Sequence, residues 1–289
     1  MKEYNYFSKT SYTYKEASEI LTQKLKNENP SRIISEGHPE PYTAYDLDHI
    51  AKAINKYNID CYVIENRKND FQNYLLKAQY PKNYIDRFNR FFTEKAYEHF
   101  IILELMKLCN NQIYIDIASC YSPLWNIATQ LYKTNSFSQD IMYPDGINNH
   151  IIGCDACNLP FEEHSIDALS AACSIEHFEN DGDILLFKEA QRVLRHGGVF
   201  VVAPFYLAKE ECIITDPING LDVKFDHDDN IRFVEKWNNR HGRYYSISSF
   251  CERIIKPHPE MEFKLYAIKD LHEIGEVMYC NFALVAIRK

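Results

Sequence analysis

The clearest pattern of apolar and polar residues lies between Asn149 and Leu207, where apolar runs alternate with polar segments. Ile166 to Ser174 is mostly apolar, as expected of a parallel strand covered on both faces. Apolar residues at helical spacing follow Asp181 and stop at Gly197, and Val199 to Ala203 is another apolar run. Together with the run that ends before Asp155, the pattern predicts two strands and a helix that leads to a third strand.

The segments on either side extend this pattern. A helix is predicted from Thr93, and a strand from Gln112 to Ile117 precedes a short turn and a helix from Leu124 to Lys133. A strand from Ser136 to Gln139, ending on Asp140, comes next. Two more strands are predicted near the end of the chain, Glu262 to Ile268 and Tyr279 to Ile287. Alternating strands and helices of this kind indicate an α/β fold.

The first 91 residues are predicted to form a separate, mainly helical cap. Helices are expected after Thr13 and Thr43 and at Phe71 to Ala78, with a short strand at Cys61 to Ile64. Tyr80 to Phe92 is aromatic and basic, so it either lines a pocket that prefers an anionic substrate or attaches the cap to the core. If the cap is a substrate lid, deletion of residues 1–78 should leave cofactor binding within about tenfold, roughly 1.4 kcal/mol, and abolish turnover.

Residues 209–239 are predicted to be a polar, acidic insertion, and a helix is expected to begin at Arg240 and run through Ile255. The insertion contains the acidic run from Asp226 to Asp229. We interpret this run as a solvated loop in preference to a metal site, because metal ligands normally come from several elements.

Composition narrows the classes of function. The chain has 289 residues, 46% of them hydrophobic and 25% charged, and a net charge of −9. Its pI is about 5.7, which gives little support to nucleic-acid binding. The start of the sequence has no apolar signal region, and no apolar run approaches the roughly 18 residues of a membrane span. We therefore expect a cytoplasmic protein.

The nine cysteines are expected to be reduced. Cys154 and Cys157 form a C-x-x-C motif, which is typical of a redox pair or half of a zinc site. No second such motif follows, so we favour two packed thiols.

The stretch from Asn149 to Leu207 resembles the second half of the class I methyltransferases that use S-adenosylmethionine (SAM). The resemblance is carried by six elements in the family's order and spacing: Asp155-Ala156, Leu159-Pro160-Phe161, Asp167, Glu176-His177, Arg192-Val193-Leu194 with Gly197-Gly198, and Val199 to Ala203. It covers the chain from about Asn111 to the end. It implies a doubly wound, mostly parallel, seven-stranded Rossmann-like sheet with an antiparallel last strand, spanning residues 92–289.

The resemblance also implies a cofactor site for SAM, whose product is S-adenosylhomocysteine. In the family the turn after the first strand reads acid-x-Gly-x-Gly-x-Gly, but after Asp116 this chain has no glycine at the three positions. Its residues are small, so strand-turn-helix geometry should survive. The residues assigned to cofactor binding are Asp116, Ala118, Ser119, Cys120, Asp140 for the ribose, Asp155 and Ala156 for the adenine, Ser174, and Tyr97. The alternative for Tyr97, and for Phe100 on the same helix, is a place in the core, and His99 is expected to be exposed.

His177, His241 and Tyr206 are the candidate catalytic residues. His177 follows the central strand at the crevice where substrate meets cofactor, and imidazole titrates near neutral pH. The alternative is that Glu176-His177 is a structural cap. In similar quinone methyltransferases a Glu-His pair and another acid, here Glu179, hold a divalent metal; we assign no metal site.

These features predict an enzyme that transfers the SAM methyl group to oxygen or nitrogen of a small molecule. A peptide or protein acceptor is the next alternative, and nucleic acid comes third. The alternative outside the enzymes is a protein that binds SAM but does not transfer its methyl group. The absence of the three glycines from the turn after Asp116 is the reason to consider it. The sequence does not indicate the oligomeric state.

Overall fold

The computed structural model describes residues 11–65, 67–226 and 229–289. The helices of these residues are α1 Tyr14–Glu28, α2 Leu47–Ile54, α3 Lys68–Lys77, α4 Lys82–Phe88, α5 Phe92–Met106, α6 Leu124–Tyr132, α7 Gly182–Val193, α8 Pro217–Gly220, α9 Ile247–Ser249 and α10 Leu271–Ile274. The strands are β1 Ile34–Glu36, β2 Asp60–Ile64, β3 Ile113–Ile117, β4 Asn135–Asn148, β5 Ile151–Gly153, β6 Ile166–Ala172, β7 Leu194–Ala203, β8 Cys212–Thr215, β9 Ile231–Phe233, β10 Gly242–Tyr244, β11 Met261–Ile268 and β12 Phe282–Arg288. Short 3₁₀ turns and a π-helical turn at Phe250–Ile255 complete the set.

The central sheet has the predicted doubly wound, mostly parallel order. Its strands follow the sequence β2-β11-β12-β7-β6-β3-β4-β5 among the described residues. Strands β3 to β7 pair in parallel, whereas β12 is antiparallel to both β7 and β11. The antiparallel last strand is thus confirmed. The expected count of seven was wrong by one, because β2 adds an eighth strand parallel to β11.

Helices cover both faces of this sheet. One face packs against α3, α5 and α6, with buried Phe71, Tyr97 and Leu124 among the contacts. The other face packs against α2, α7 and the π-helical turn, with buried Ile50 and Phe187. The carboxyl ends of the central parallel strands are left for loops, which is where open α/β sheets bind ligands.

The first 91 residues contribute to both sheets. Strand β2 joins the central sheet, and β1 joins a second sheet in the order β1-β9-β8-β10. Leu21 and Leu25 of α1 pack on Ile213, Ile231 and Phe233 of that second sheet. The division of the chain at residue 91 and the lid function stay predictions, but the contacts show that this segment shares both cores.

Residues 209–239 contain more regular structure than an acidic loop. They form β8, α8 and β9, and β10 follows at Gly242–Tyr244. The helix expected from Arg240 was therefore wrong at its start, because residues 242–244 pair with β8 and the helix begins at Ile247.

Part of the acidic run folds onto a buried arginine. Arg243, 1% exposed, lies 3.8 Å from Asp229 and 4.0 Å from Asp226. Burial raises the pKa of Asp229 to about 6, although the Arg243 charge opposes the shift. His227 and Asp228 lie outside the described residues. Asp226 and Asp229 are thus held by ion pairing, which corrects the expectation of a solvated loop at these two residues.

Candidate active site

The turn after β3 has the conformation that glycine usually supplies. Ala118, Cys120 and Tyr121 have φ values of 48°, 45° and 64°. Residues with a Cβ pay about 1–2 kcal/mol each in this left-handed region. Two of these residues stand at the expected glycine positions. The predicted strand-turn-helix geometry is present. Other contacts must offset the backbone strain of the turn.

Side chains of β4 supply that compensation. Backbone N–H groups of the turn donate to three of them: Ala118 to Gln139 Oε1 at 3.0 Å, Cys120 to Asp140 Oδ2 at 2.8 Å, and Tyr121 to the Tyr143 hydroxyl at 3.0 Å. Ser119 Oγ lies 2.6 Å from Ser138 Oγ. The strand expected to end at Asp140 continues to Asn148 with a bulge, and this extension places Tyr143 inside the turn.

Asp116 is fully buried at the end of β3. Its Oδ1 accepts from the Ser170 hydroxyl at 2.8 Å, and Oδ2 has no hydrogen-bond partner among the described side chains and backbone. Burial raises the pKa of Asp116 to about 7, and the Ser170 and Ser122 hydroxyls oppose this shift. A buried acceptor with a vacant lone pair fits a cationic ligand group such as an amine.

Asp155 and Ala156 follow β5. Asp155 is exposed and its Oδ1 accepts from the Cys157 N–H at 2.9 Å, whereas Ala156 is 4% exposed. The turn therefore presents a carboxylate to solvent. Asp140 pairs with Gly153 where the parallel register of β4 and β5 shifts, and Asp155 follows Gly153 by two residues.

The C-x-x-C thiols are not paired. Burial, opposed by Gln139, raises the pKa of Cys154 to about 11, and burial with the Asp155 charge raises that of Cys157 to about 12. Both thiols are free of disulfide bonds. Protonated thiols are poor nucleophiles and poor zinc ligands, which favours the packing interpretation.

Ser174, Glu176 and His177 follow β6. Ser174 Oγ donates to the Ile117 carbonyl at 3.3 Å. His177 Nδ1 lies 2.5 Å from the His241 carbonyl oxygen, and His241 Nδ1 lies 3.0 Å from the Glu176 carbonyl oxygen. A carbonyl only accepts, so both Nδ1 atoms carry hydrogen. In neutral His177 the Nε2 lone pair is therefore available, and it lies 3.6 Å from Glu176 Oε1.

The two histidines have different environments. The His177 side chain is 30% exposed, whereas His241 is 2% exposed. Burial, together with the Arg243 and His177 charges, lowers the pKa of His241 to about 3. This geometry supports a positioning role for His241, in which it holds His177 through the backbone.

Tyr206 lies beside β6, at the end of β7. Its hydroxyl is 3.6 Å from Cys173 Sγ. Burial is the main cause of a pKa well above the usual value for Tyr206, with contributions from the Cys173 and Glu176 charges. Tyr206 is therefore a neutral hydroxyl at neutral pH, suited to hydrogen bonding.

Tyr97 and His99 on α5 are both buried, which differs from the cofactor contact implied for Tyr97 and the exposure expected of His99. Tyr97 is 1% exposed and packs edge-on against Phe71, with ring centroids 5.1 Å apart, which favours the core alternative. His99 is 1% exposed, so the expectation of exposure was wrong. Its Nε2 lies 3.3 Å from Ser122 Oγ and its Nδ1 3.0 Å from the Tyr80 hydroxyl, because the turn after β3 packs on this helix.

The acid considered for a metal site is already paired. Glu179 accepts from Arg240 at 2.9 Å. Within the part of the chain that the structure describes, no group of three or more His, Cys, Asp or Glu is arranged to hold a metal ion.

With this geometry established, the chain can be compared with known proteins. The family model described as a methyltransferase domain matches residues 104–202, from α5 to the end of β7. Residues 104–202 are thus similar to methyltransferase domains. This match agrees with the resemblance inferred from the sequence. A search of curated proteins found no match.

Several solved structures are similar to parts of this chain. The match to MccD is 19% identical with a TM-score of 0.32, and covers 38% of this chain and 53% of that chain. Haemonchus contortus phosphoethanolamine N-methyltransferase 2, crystallised with SAM, is 20% identical with a TM-score of 0.35. This match covers 46% of this chain and 35% of that chain. Burkholderia thailandensis 1,6-didemethyltoxoflavin-N1-methyltransferase, crystallised with 1,6-didemethyltoxoflavin and S-adenosylhomocysteine, is 12% identical with a TM-score of 0.44. This match covers 78% of this chain and 92% of that chain. The chain thus spans about half of MccD and about a third of the Haemonchus protein.

Sequence reasoning missed a charged pair on α5. Lys95 Nζ lies 3.0 and 3.1 Å from the two carboxylate oxygens of Glu98, and both side chains are nearly buried. Burial raises the pKa of Glu98 to about 7 against the opposing Lys95 charge. The sequence did contain a signal for this pair, because charged residues interrupt a helix that is otherwise apolar on all sides.

Proposed function

We propose that this protein binds SAM where the parallel pairing of β3, β4 and β5 ends and transfers its methyl group to oxygen or nitrogen of a small-molecule acceptor. The observation that carries the proposal is the placement of two acids beside the left-handed turn. Asp116 is the last residue but one of β3, and Asp140 is the residue of β4 after which the parallel register with β5 shifts. When bound, SAM supplies a methyl group on an activated sulfonium.

The residues of this chain have distinct tasks in the proposal. The vacant Oδ2 of Asp116 receives the amino group of the methionine part. The Asp140 carboxylate receives the ribose hydroxyls, and Asp155 with Ala156 receives the adenine. His177 takes a proton from the acceptor through Nε2, and Tyr206 orients the acceptor.

One observation favours the second candidate, a SAM-binding protein without transfer. The N–H groups of Ala118, Cys120 and Tyr121 already donate to β4 side chains. They are therefore engaged when a cofactor carboxylate arrives, which would weaken its binding. Calorimetric titration with SAM and S-adenosylhomocysteine tests binding, and a methyl-release assay over metabolite and peptide pools separates enzyme from binder. Methylation confined to peptides would favour the peptide or protein acceptor.

Replacing Asp140 or Asp155 by alanine should weaken SAM binding by about 1–3 kcal/mol each, since each change deletes a charge-assisted partner. Titration calorimetry on the folded variants measures this. Because Asp140 also bonds the Cys120 N–H, Asp140→Asn is the matched variant that keeps one acceptor oxygen. Unchanged SAM affinity in both alanine variants would contradict the proposed site.

A further inference from the structure

Glu176 has a buried carboxylate oxygen without a partner. Its side chain is 6% exposed, and Oε2 has no hydrogen-bond partner in residues 11–65, 67–226 and 229–289. Oε1 lies 3.6 Å from His177 Nε2. A buried carboxylate is costly unless it is paired. Glu176 Oε2 is thus an acceptor that a bound ligand can pair with.

The cation on α5 does not satisfy Glu176. Lys95 is bound through its ammonium group to both oxygens of Glu98. The charge of Glu176 also contributes to the raised pKa of Glu98. Because Lys95 is engaged by Glu98, it makes no hydrogen bond to Glu176 Oε2.

Three tyrosine rings form a wall, and one of them, Tyr244, belongs to β10, which packs on the Ile175–His177 turn that contains Glu176. The Tyr206 ring centroid lies 5.1 Å from that of Tyr244 and 6.4 Å from that of Tyr279. Burial and then the Glu176 charge raise the pKa of Tyr244. Lys95 Nζ lies 5.3 Å from the Tyr279 ring centroid, so this ring already contacts one cation. Aromatic faces next to a carboxylate attract ammonium groups.

We propose that the methyl acceptor is an amine, which enters as an ammonium ion and binds between the Glu176 carboxylate and the wall of Tyr206, Tyr244 and Tyr279. This inference rests on the proposed methyl transfer and names its substrate class. It replaces the anionic acceptor suggested by the basic stretch before α5. Arg87 and Arg90 of that stretch are exposed, and Arg87 donates to the Cys120 carbonyl.

The proposed transfer accounts for every proton and electron pair. The ammonium ion gives one proton to His177 Nε2, which passes it to water. The nitrogen lone pair then forms the new C–N bond while the C–S bond of the sulfonium breaks, and its electron pair stays on the sulfur. The product is again an ammonium ion, and Glu176 remains its counter-ion.

The test uses the full-length protein saturated with S-adenosylhomocysteine, so that no turnover occurs. Phenethylamine, 2-phenylethanol and phenylacetate share a ring and differ in charge, as do tyramine and its alcohol and carboxylate counterparts. Calorimetry should show at least about tenfold tighter binding of the amines, because only they pair with Glu176. Glu176→Gln, an isosteric change, should lower amine affinity about tenfold or more and leave that of the alcohols unchanged.

Glu179→Gln is the control, because this carboxylate on the same loop is already paired with Arg240; it should keep the preference for amines. The inference would be overturned if the alcohols or carboxylates bound as tightly as the amines or more tightly, or if no amine bound. It would also be overturned if Glu176→Gln kept the same preference for amines. Failure to bind S-adenosylhomocysteine would instead contradict the proposed function. Normal binding of that product without a preference for amines refutes the amine acceptor alone.

Discussion

Replacing His177 by glutamine should lower the rate of methyl transfer about 10²–10⁴-fold, the usual contribution of a general base. The hydrogen bond from Nδ1 to the His241 carbonyl fixes the tautomer, so Nε2 is the atom that accepts a proton. Glu176 Oε1 at 3.6 Å stabilises the ring once it is charged. SAM affinity should not change, because no residue assigned to the cofactor contacts this ring.

Single-turnover transfer from labelled SAM to the best acceptor of the panel measures the rate separately from binding. His164→Gln is the matched control. His164 Nδ1 lies 3.2 Å from the carbonyl oxygen of Leu194, the first residue of β7, at the opposite end of that strand from Tyr206. A rate in His177→Gln equal to that of the control would leave Glu176-His177 as the structural cap that the sequence also allowed.

Replacing Phe71 by alanine should lower the free energy of unfolding of the whole protein by about 3–5 kcal/mol. Phe71, on α3, is 3% exposed and contacts Tyr97 and Phe100 of α5 at centroid distances of 5.1 and 5.7 Å. Helix α5 in turn packs on β6 and β7. Loss of the ring leaves a cavity in a core that the first 91 residues share with the central sheet.

Denaturant unfolding followed by far-UV circular dichroism measures this effect. Leu76→Ala lies on the same helix but is 86% exposed, so its effect should stay within about 0.5 kcal/mol. If Phe71→Ala shifted only a minor transition and left the main one in place, the cap would be an independent unit. The expectation that residues 1–78 can be removed without loss of SAM binding needs revision if the main transition shifts, because the deletion also removes β1 and β2.

Elements that depend on a local pattern of residues were predicted correctly from the sequence in most of their length. Strand β6, helix α7 and the Val199 to Ala203 part of β7 were predicted because each depends on the pattern of its own residues. The expected end of the helix at Gly197 was wrong, because α7 ends at Val193 and Gly197, with a φ of 78°, lies within β7. The turn after β3 was also anticipated, because small residues replaced the glycines. Its support by Gln139 and Tyr143 was not, since no pattern links a turn to side chains about 20 residues away.

Long-range pairing was the part that sequence reasoning missed. Cys61 to Ile64 was recognised as a strand, but its place beside β11 depends on residues near the other end of the chain. Residues 242–244 were assigned to a helix because their strand exists only through pairing with β8. In the site, Glu176 was recognised within a family motif, whereas its missing partner is visible only once Lys95 is seen to be occupied by Glu98.

The pairing of β1 with β9 and of β2 with β11 has a consequence for synthesis of the protein. Each pair joins residues roughly 200 positions apart. At about 5–20 residues per second, a nascent chain would expose β1 and β2 for about 10–40 s before their partners were made. During that time their unpaired edges would be available to other chains. Translation rate and chaperone supply should therefore strongly affect the yield of folded protein, because the earliest residues complete their contacts last.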